Sequence, residues 1–227
     1  MSTLYLVATP IGNLDDLSPR AVEVLSSVAQ IACEDTRTSG VLLQRYGIST
    51  PTFAFHQHNE HQKLAHLLNL LDANREVALI SDAGMPGISD PGFLPAREAW
   101  KAGHTVSAIP GPDAATTALV ASGLPCDRYV YEGFLPAKKG RQKQLRQLTE
   151  EERTVVLYES PRRLLKLLEE LETYMGGERM VAVARELTKK FEEVVRGPLH
   201  RIASDFTARN EIRGEITVII APKDYRE

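Results

Sequence analysis

Cysteine is scarce in this sequence, with only Cys33 and Cys126 among 227 residues. The two lie far apart, and neither belongs to a CxxC pair or stands beside clustered histidines. This pattern indicates neither a disulfide framework nor a zinc site. We therefore expect both side chains to be reduced, half-buried thiols in a cytoplasmic protein.

Long apolar runs are absent as well. No stretch approaches the roughly 20 residues that a membrane-spanning helix needs. The first residues lead straight into an apolar run at Leu4 without a preceding basic segment, so they are not typical of a signal peptide. We expect no membrane span, and a length of 227 residues fits one large or two small α/β domains.

Neither GxGxxG nor GxxxxGK[ST] occurs, so neither a dinucleotide site nor a P-loop is indicated. The sequence instead has an apolar run, Val77–Ile80, followed at 81–92 by a loop with two prolines, three glycines and two aspartates. The runs Leu4–Ala8 and Val106–Ile109 also end in Gly/Pro loops. Open α/β sheets bind ligands at the carboxyl ends of their strands, so these three loops predict a ligand site.

The apolar runs predict two α/β domains, at residues 1–115 and 116–227. The first should be a parallel doubly wound sheet, because short buried strands alternate with helical patterns. The second should be a mixed sheet, because fewer helices separate its strands. The predicted strands are Leu4–Ala8, Ile31–Cys33, Phe53–Phe55, Val77–Ile80, Val106–Ile109, Tyr129–Phe134, Thr154–Tyr158, Met180–Ala184, Phe191–Val195 and Ile216–Ala221. The predicted helices begin at Pro19, run through Leu64–Leu71, and span Phe93–Ala102, Ala114–Ser122 and Arg162–Tyr174.

Charge is distributed unevenly along the chain. The net charge of −3 argues against a protein that coats nucleic acid with its whole surface. Residues 1–112 carry 7 Lys and Arg against 11 Asp and Glu, a net of −4, whereas residues 113–227 carry 20 against 19, a net of +1. One short segment holds six cations with only Glu132 opposing them: Arg128, Lys138, Lys139, Arg141, Lys143 and Arg146. This segment is either a solvated helix face or a contact surface for phosphate groups.

Two polar clusters follow predicted strands. Glu34, Asp35, Thr36 and Arg37 come directly after Ile31–Cys33, and they are either functional or the acidic start of a helix. Three histidines lie within residues 56–61. His56 and His58 would point to opposite faces of an extended chain, and no carboxylate repeat accompanies them, so no metal site is predicted.

Several motifs together resemble one branch of the tetrapyrrole (corrin/porphyrin) methylase family, the branch that methylates small-subunit ribosomal RNA. The match spans nearly the whole chain. The motifs that carry it are Leu4–Asn13, Glu34–Arg37, His58–Glu60, Ser81–Gly84, Asp90–Gly92, Pro110–Pro112, Tyr131–Pro136, Tyr158–Ser160, Ala184–Lys189 and Gly214–Glu215. The resemblance implies two α/β domains with S-adenosylmethionine in the cleft between them, and a homodimer. It also implies methylation of the ribose 2′-hydroxyl of a cytidine in the decoding region of 16S rRNA, with the 30S subunit as the expected setting.

The resemblance also implies a set of site residues. The cofactor should contact Pro10, Ile11, Gly12, Ala83, Gly84, Met85, Pro86, Ile88, Ser89, Gly111, Pro112, Asp113, Ala114, Ala115, Tyr158, Ala184, Gly214, Glu215 and Ile216. The RNA should contact Asn13, His56, Asn59, Lys138, Lys139, Arg141, Glu159 and Glu186. The catalytic group should comprise Glu34, Asp35, Arg37, Arg185 and Lys189. A carboxylate of this group would accept the proton of the hydroxyl, while Arg185 or Lys189 would stabilise the developing alkoxide.

The sequence departs from this branch at two points and leaves alternatives open. Met85 stands where a small hydroxylic residue is common, which should alter the cofactor contacts slightly. Related chains often continue past the last strand, so we expect part of the RNA-binding surface to be missing here or supplied by the partner subunit. The catalytic charges could instead form a structural salt-bridge network between the domains. The alternative functions are methylation of a small tetrapyrrole-like substrate and RNA binding without catalysis.

Overall fold

The computed structural model describes all 227 residues, and the chain divides into two units, Met1–Asp113 and Ala114–Glu227. Each unit is built on a sheet of five strands. The boundary lies two residues before the predicted one, because Ala114 and Ala115 already belong to a helix that packs on the second sheet. None of the helices combines the length and apolar character needed to cross a bilayer.

The first unit is a parallel sheet with the strand order β3-β2-β4-β1-β5. Its central strand β4 is buried at all four positions, as expected for a strand covered on both faces. The strands are β1 Thr3–Val7, β2 Gln30–Cys33, β3 Thr52–Ala54, β4 Val77–Ile80 and β5 Thr105–Ile109. The helices are α1 Pro19–Ser27, α2 Thr36–Arg45, α3 Glu60–Asp72 and α4 Phe93–Lys101.

Helices cover both faces of this sheet. On one face, Val7, Ile31 and Ile80 pack against the buried side chains of α1 and α2. On the other face, Leu4 and Leu79 pack against α3 and α4. Successive residues of a strand point to opposite faces, which explains why the apolar runs were continuous rather than alternating. The predicted doubly wound parallel sheet is confirmed.

The second unit is a mixed sheet with the strand order β6-β7-β10-β8-β9. Strands β6 and β7 are parallel, and β10 is antiparallel to both β7 and β8. Strand β9 is antiparallel to β8 at the edge. The strands are β6 Tyr129–Phe134, β7 Thr154–Glu159, β8 Met180–Arg185, β9 Glu193–Pro198 and β10 Ile216–Ile220, and the helices are α5 Ala114–Ala121, α6 Arg141–Thr149, α7 Pro161–Met175 and α8 Leu199–Thr207. The predicted mixed sheet is also confirmed.

One face of this second sheet carries most of the core. Side chains from β7, β8 and β10 pack there with buried residues of α6, α7 and α8. The buried side chains of α5 lie outside that cluster, and α5 contacts β7 and β10. Helix α5 therefore packs on the opposite face of the sheet, at β7 and β10.

Several sequence-based details differ from the structure. Helices α6 and α8 were not predicted as elements, although Leu199, Ile202 and Phe206 give α8 a helical apolar stripe. Helix α2 begins at Thr36, with Asp35 as its N-cap. The cluster Glu34–Arg37 therefore lies at a helix start, which was one of its two interpretations. The two thiols are not both half-buried, because Cys33 is fully buried and Cys126 is exposed. Burial raises the pKa of Cys33 to about 11.

Candidate functional site

In the first unit, the loops after β1 and β4 are joined by backbone hydrogen bonds. The N–H of Thr9 donates to the carbonyl of Gly84 at 2.9 Å, and the N–H of Gly84 donates to the carbonyl of Thr9 at 3.0 Å. The hydroxyl of Thr9 also donates to the carbonyl of Ser81 at 3.1 Å. The two loops therefore form one rigid ledge at the carboxyl edge of the parallel sheet.

Glycine lets the loop after β5 approach the same ledge. A β-carbon at Gly111 would lie 2.9 Å from that of Ala8, closer than real side chains pack. Gly84 adopts a φ of +82°, and a β-carbon there would meet Ile11 at 3.5 Å and the carbonyl of Pro112 at 3.9 Å. Bare backbone from three strand ends is thus held together, as a ligand cradle requires.

The predicted cofactor residues of this unit divide by burial. Five of them are exposed and able to contact a ligand: Gly12, Ala83, Ile88, Ser89 and Gly111. Four others are buried and support the loops from below: Pro10, Ile11, Gly84 and Pro86. Half-buried are Met85, Pro112 and Asp113. The next two predicted residues, Ala114 and Ala115, lie in α5 of the second unit, where Ala115 is buried.

A carboxylate group lies beside this ledge, at the ends of β2 and β4. The backbone N–H of Asp35 donates to the Asp82 carboxylate at 3.0 Å, and that of Asp82 donates to the Glu34 carboxylate at 3.3 Å. The neighbouring Asp90 feels the charges of both Glu34 and Asp82. We call Glu34, Asp35, Asp82 and Asp90 the carboxylate group. Sequence reasoning found its first two members and missed the others, since Asp82 and Asp90 only looked like loop residues.

The members of the carboxylate group differ in proton affinity. Hydrogen bonds from Arg37 hold the pKa of Asp35 at about 2. Burial, reinforced by the charges of Glu34 and Asp82, raises the pKa of Asp90 to about 6. Burial also raises the pKa of Asp82. The Asp90 carboxyl therefore changes its protonation near pH 6, whereas the Asp35 carboxyl does so near pH 2.

Asp35 also has a structural role. It is the N-cap of α2, and its carboxylate accepts a hydrogen bond of 2.8 Å from the backbone N–H of Arg37. The Arg37 guanidinium pairs with the same carboxylate at 2.6 Å while its own side chain stays 90% exposed. Replacing Asp35 therefore changes both the helix start and the charge of the site.

The histidine loop after β3 is held by Asn59. The Asn59 side chain accepts from the backbone N–H of His56 at 2.9 Å, donates to the carbonyl of Ala54 at 3.2 Å, and lies 3.1 Å from Nε2 of His56. These contacts fix the loop, so any contact of Asn59 with a nucleotide would have to replace them. No group of three or more His, Cys, Asp and Glu side chains is arranged to hold a metal. The predicted roles of Asn13, His56 and Asn59 stay predictions.

In the second unit, the strand ends at one edge bring together another set of predicted residues. Strand β10 runs against its neighbours, so its first residue, Ile216, pairs with Glu159 at the end of β7 and with Arg185 at the end of β8. The residues that meet at this edge are Phe134, Tyr158, Glu159, Ala184, Arg185, Glu186, Gly214, Glu215 and Ile216. Sequence reasoning named all of them except Phe134 as site residues.

The charged residues at this edge pair within the second unit. Lys189 lies 3.0 Å from Glu186 and 2.9 Å from Glu215. Arg185 lies 3.1 Å from Glu193. Burial alone would lower the pKa of Lys189, but the hydrogen bonds to Glu215 and Glu186 outweigh it and raise that pKa. These cations are already paired, and their catalytic role stays a prediction.

The side chains of two predicted substrate contacts, Glu159 and Arg141, are buried. The Glu159 side chain is fully buried and forms a bidentate pair with Arg163, at 2.7 and 2.9 Å. Arg141, only 4% exposed, bonds to Glu170 at 2.7 Å and to the carbonyl of Pro136 at 3.2 Å. Both side chains are enclosed because they link α6 and α7 to the sheet, and their contacts with RNA stay predictions. The other cations of the segment are exposed: Arg128, Lys138, Lys139, Lys143 and Arg146.

Comparison with known proteins gives similarity over nearly the whole chain. The family model of the Tetrapyrrole (Corrin/Porphyrin) Methylases matches residues 3–203. The chain is 50% identical over 222 residues to "Ribosomal RNA small subunit methyltransferase I" of Synechocystis sp., covering 97% of this chain and 79% of that protein. The protein of the same name from Thermotoga maritima is 42% identical over 224 residues, covering 99% of this chain and all of that protein.

Solved structures show the same fold at low identity. The methyltransferase CobJ superposes with a TM-score of 0.73 at 18% identity, covering 100% of this chain and 97% of that chain. Uroporphyrin-III-C-methyltransferase from Thermus thermophilus superposes with a TM-score of 0.66 at 20% identity, covering 98% and 96%. At this identity the likeness shows the fold alone.

The buried position of Arg141 yields a first prediction. Arg141→Met should lower the free energy of unfolding by about 1–3 kcal/mol, because it removes the hydrogen bonds to the Glu170 carboxylate and to the carbonyl of Pro136. Lys143→Met, an exposed change on the same helix, should alter it by less than about 0.5 kcal/mol. Urea denaturation measures both. Equal stability of the two variants would contradict the assignment of Arg141 to the interior.

The raised pKa of Asp90 yields a second prediction. Between the unfolded pKa of about 4 and the folded pKa of about 6, the folded protein binds more protons, so stability falls as pH rises. Asp90→Asn should therefore be more stable than the wild type at pH 8. We expect a gain of about 1 kcal/mol, because solvent screens this partly exposed carboxyl.

The gain should vanish as pH falls below about 4, where the wild-type carboxyl is protonated as well. Thermal unfolding at several pH values measures it, with Asp16→Asn, a change at an exposed aspartate, as the control. A difference that stays constant with pH would show that Asp90 does not titrate as described.

Proposed function

The chain belongs to the tetrapyrrole (corrin/porphyrin) methylase family, and on this basis we propose that it is an S-adenosylmethionine-dependent methyltransferase of small-subunit ribosomal RNA. The observation that carries the proposal is the 42–50% identity, over nearly the full chain, to relatives named for that activity. The proposed target is the ribose 2′-hydroxyl of a cytidine in the decoding region of 16S rRNA.

The RNA substrate is favoured over a tetrapyrrole. The solved uroporphyrin methyltransferase shares the fold but only 20% identity. The exposed cations Lys138, Lys139, Lys143 and Arg146 suit the phosphates of an RNA backbone. Phosphate contacts contribute affinity and little sequence information, so the choice of nucleotide must be made elsewhere.

The first unit fits S-adenosylmethionine. The glycines at 84 and 111 keep side chains out of a ledge whose backbone groups can meet the polar edge of the cofactor. The exposed residues that would hold it are Gly12, Ala83, Ile88, Ser89 and Gly111. The cofactor supplies an activated methyl group on a sulfonium, so the chemistry requires no metal. The contribution of Tyr158, Ala184 and Gly214–Ile216 stays a prediction.

The protein's own part in the reaction is to position the hydroxyl and take its proton. Holding the oxygen in line with the methyl carbon supplies much of the rate. A base works best when its pKa lies near the working pH. In the carboxylate group this favours Asp90, with a pKa of about 6, over Asp35, with a pKa of about 2. We therefore add Asp90 to the proposed catalytic residues Glu34, Asp35 and Arg37.

The proposal extends to the setting of the reaction. We place the enzyme in the cytoplasm, acting as a homodimer on rRNA within the 30S subunit. The relatives' name supports the rRNA substrate, and the assembly state of that substrate is part of the proposal.

Methyl transfer to purified 30S subunits tests the function. Subunits from a strain without this methyltransferase should accept a labelled methyl group from S-adenosylmethionine. Mass spectrometry of the rRNA should then locate one 2′-O-methylcytidine. RNA binding without transfer would support the non-catalytic module instead. Transfer only to a tetrapyrrole would support the small-molecule enzyme.

The carboxylate group gives the matching mutational prediction. Asp90→Asn should reduce kcat at pH 7.5 by about 100-fold or more while leaving cofactor affinity unchanged, because the base is removed.

Asp35→Asn keeps the helix cap and should lose less stability than Asp35→Ala, which removes the cap at a cost of about 1 kcal/mol.

Asp16→Asn, again at the exposed aspartate, serves as the activity control. If Asp90→Asn and Glu34→Gln both keep wild-type kcat at saturating RNA and cofactor, the carboxylate group is not the base. The pH profile gives an independent check, since loss of Asp90 should remove an acid limb near pH 6.

A further inference from the structure

Three aromatic side chains meet at the ends of β6 and β7. The rings of Phe134 and Tyr158 lie 5.6 Å apart, and those of Tyr131 and Tyr158 lie 5.3 Å apart, both edge-to-face. We call these three residues the aromatic cluster. The motif Tyr131–Pro136 was noticed in the sequence, yet the proposed function gives Phe134 no role.

A β-bulge places the cluster on one face of the sheet. Tyr131 pairs with Val156 and Phe134 pairs with Tyr158, so four residues of β6 lie opposite three of β7. Strand positions that differ by three would otherwise point to opposite faces. The extra residue, Glu132, brings the Phe134 side chain to the same face of the sheet as that of Tyr131. Gly133 makes the bulge possible by adopting a φ of +60°. A bulge that re-aims a side chain in this way is common beside functional sites.

That face is the one opposite to the main core. Val155 and Leu157 of β7 pack with α6, α7 and α8, so Tyr158 points the other way. Phe134 is 56% exposed there, whereas the residue after it, Leu135, is 2% exposed. An aromatic ring held open at a strand end is available to a ligand.

The backbone beneath Phe134 is fixed by the buried ion pairs. Arg163 donates to the carbonyl of Leu135 at 2.9 Å, and Arg141 donates to the carbonyl of Pro136 at 3.2 Å. Both guanidiniums are themselves held near the buried carboxylate of Glu159. The ring is thus presented by a rigid support, which lowers the entropy lost on binding.

Positive charge continues directly from the cluster. Residues 133–149 contain five cations and no Asp or Glu. Lys138 and Lys139 follow Phe134 by four and five residues and are exposed. The nearest acid in sequence, Glu132, accepts a hydrogen bond of 2.6 Å from Gln144. An apolar partner would gain nothing from this charge, whereas a nucleic acid strand would.

We infer that Phe134, supported by Tyr131 and Tyr158, is a stacking surface for an unpaired base of the RNA substrate, with Lys138 and Lys139 on the adjoining phosphates. Proteins that read single-stranded RNA combine aromatic stacking with a positively charged path for the backbone. The inference rests on the proposed function for the nature of the substrate. It adds a positioning residue that holds a neighbouring base while the ribose is methylated.

Variants of Phe134 test the stacking. Small-subunit rRNA from a strain without the methyltransferase serves as the probe, in filter binding at several salt concentrations. Phe134→Ala should weaken affinity about 5- to 100-fold, the range found for loss of one stacked base. Phe134→Leu should weaken it similarly, because it keeps apolar bulk but loses the aromatic face, and Phe134→Trp should keep it.

The salt dependence separates the two parts of the surface. Phe134→Ala should leave the slope of affinity against salt unchanged, because it releases no counterions. The double charge reversal of Lys138→Glu with Lys139→Glu should flatten that slope. In transfer assays, Phe134→Ala should raise KM for RNA and leave KM for S-adenosylmethionine at the wild-type value.

The controls decide between stacking and other roles for an exposed ring. Trp100→Ala removes another exposed aromatic side chain, 63% exposed on α4, and should change neither affinity nor KM. Unchanged RNA affinity in Phe134→Ala and Phe134→Leu would overturn the inference. So would a change in sedimentation of Phe134→Ala, because the ring would then cover a second copy of the chain. Absence of methyl transfer by the wild type would instead count against the proposed function, since binding and transfer are measured separately.

Discussion

The direction of the strands is the constraint on which the functional surface of each unit depends. In the first sheet all five strands run in one direction, so the loops after β1, β2, β4 and β5 open at a single edge. In the second sheet β6, β7 and β8 share a direction, and the antiparallel β10 begins at the edge where they end. Short apolar runs therefore suffice to gather distant residues, and only the loops need to carry chemistry.

This constraint also explains what the sequence could and could not reveal. The fold class followed from the order of apolar runs and helical patterns, and the Gly/Pro loops marked the edge of the first sheet where we propose that the cofactor binds. The charge of Arg141 suggested an exposed phosphate contact like its neighbour Lys143, but its side chain points inward from α6. A helix turns a side chain by 100° at each step, so two cations two residues apart can have opposite surroundings. The proximity of Asp90 to Glu34 depends on β2 and β4 pairing, which no local pattern shows.

The two edges differ in how far their charged side chains are paired. At the second edge each cation described lies beside a carboxylate of its own unit, as Lys189 does with Glu186 and Glu215. At the first edge the acids outnumber Arg37, and part of the negative charge stays uncompensated around the partly buried carboxyl of Asp90. Such an arrangement reduces stability and is retained in proteins where a group with a shifted pKa serves the chemistry. This difference in charge supports the proposal that the proton-accepting group lies at the first edge.

The position of β10 has a consequence for how the chain folds during translation. This strand is the last of the second unit in sequence, yet it lies between β7 and β8 in the sheet. The first unit has all its strands by residue 109 and can fold while the ribosome is still adding the remainder. The second sheet cannot close before Ile216–Ile220 has left the exit tunnel. Until then, β7 and β8 each expose an unpaired inner edge, which makes the nascent second unit the part of the chain that chaperones would have to protect.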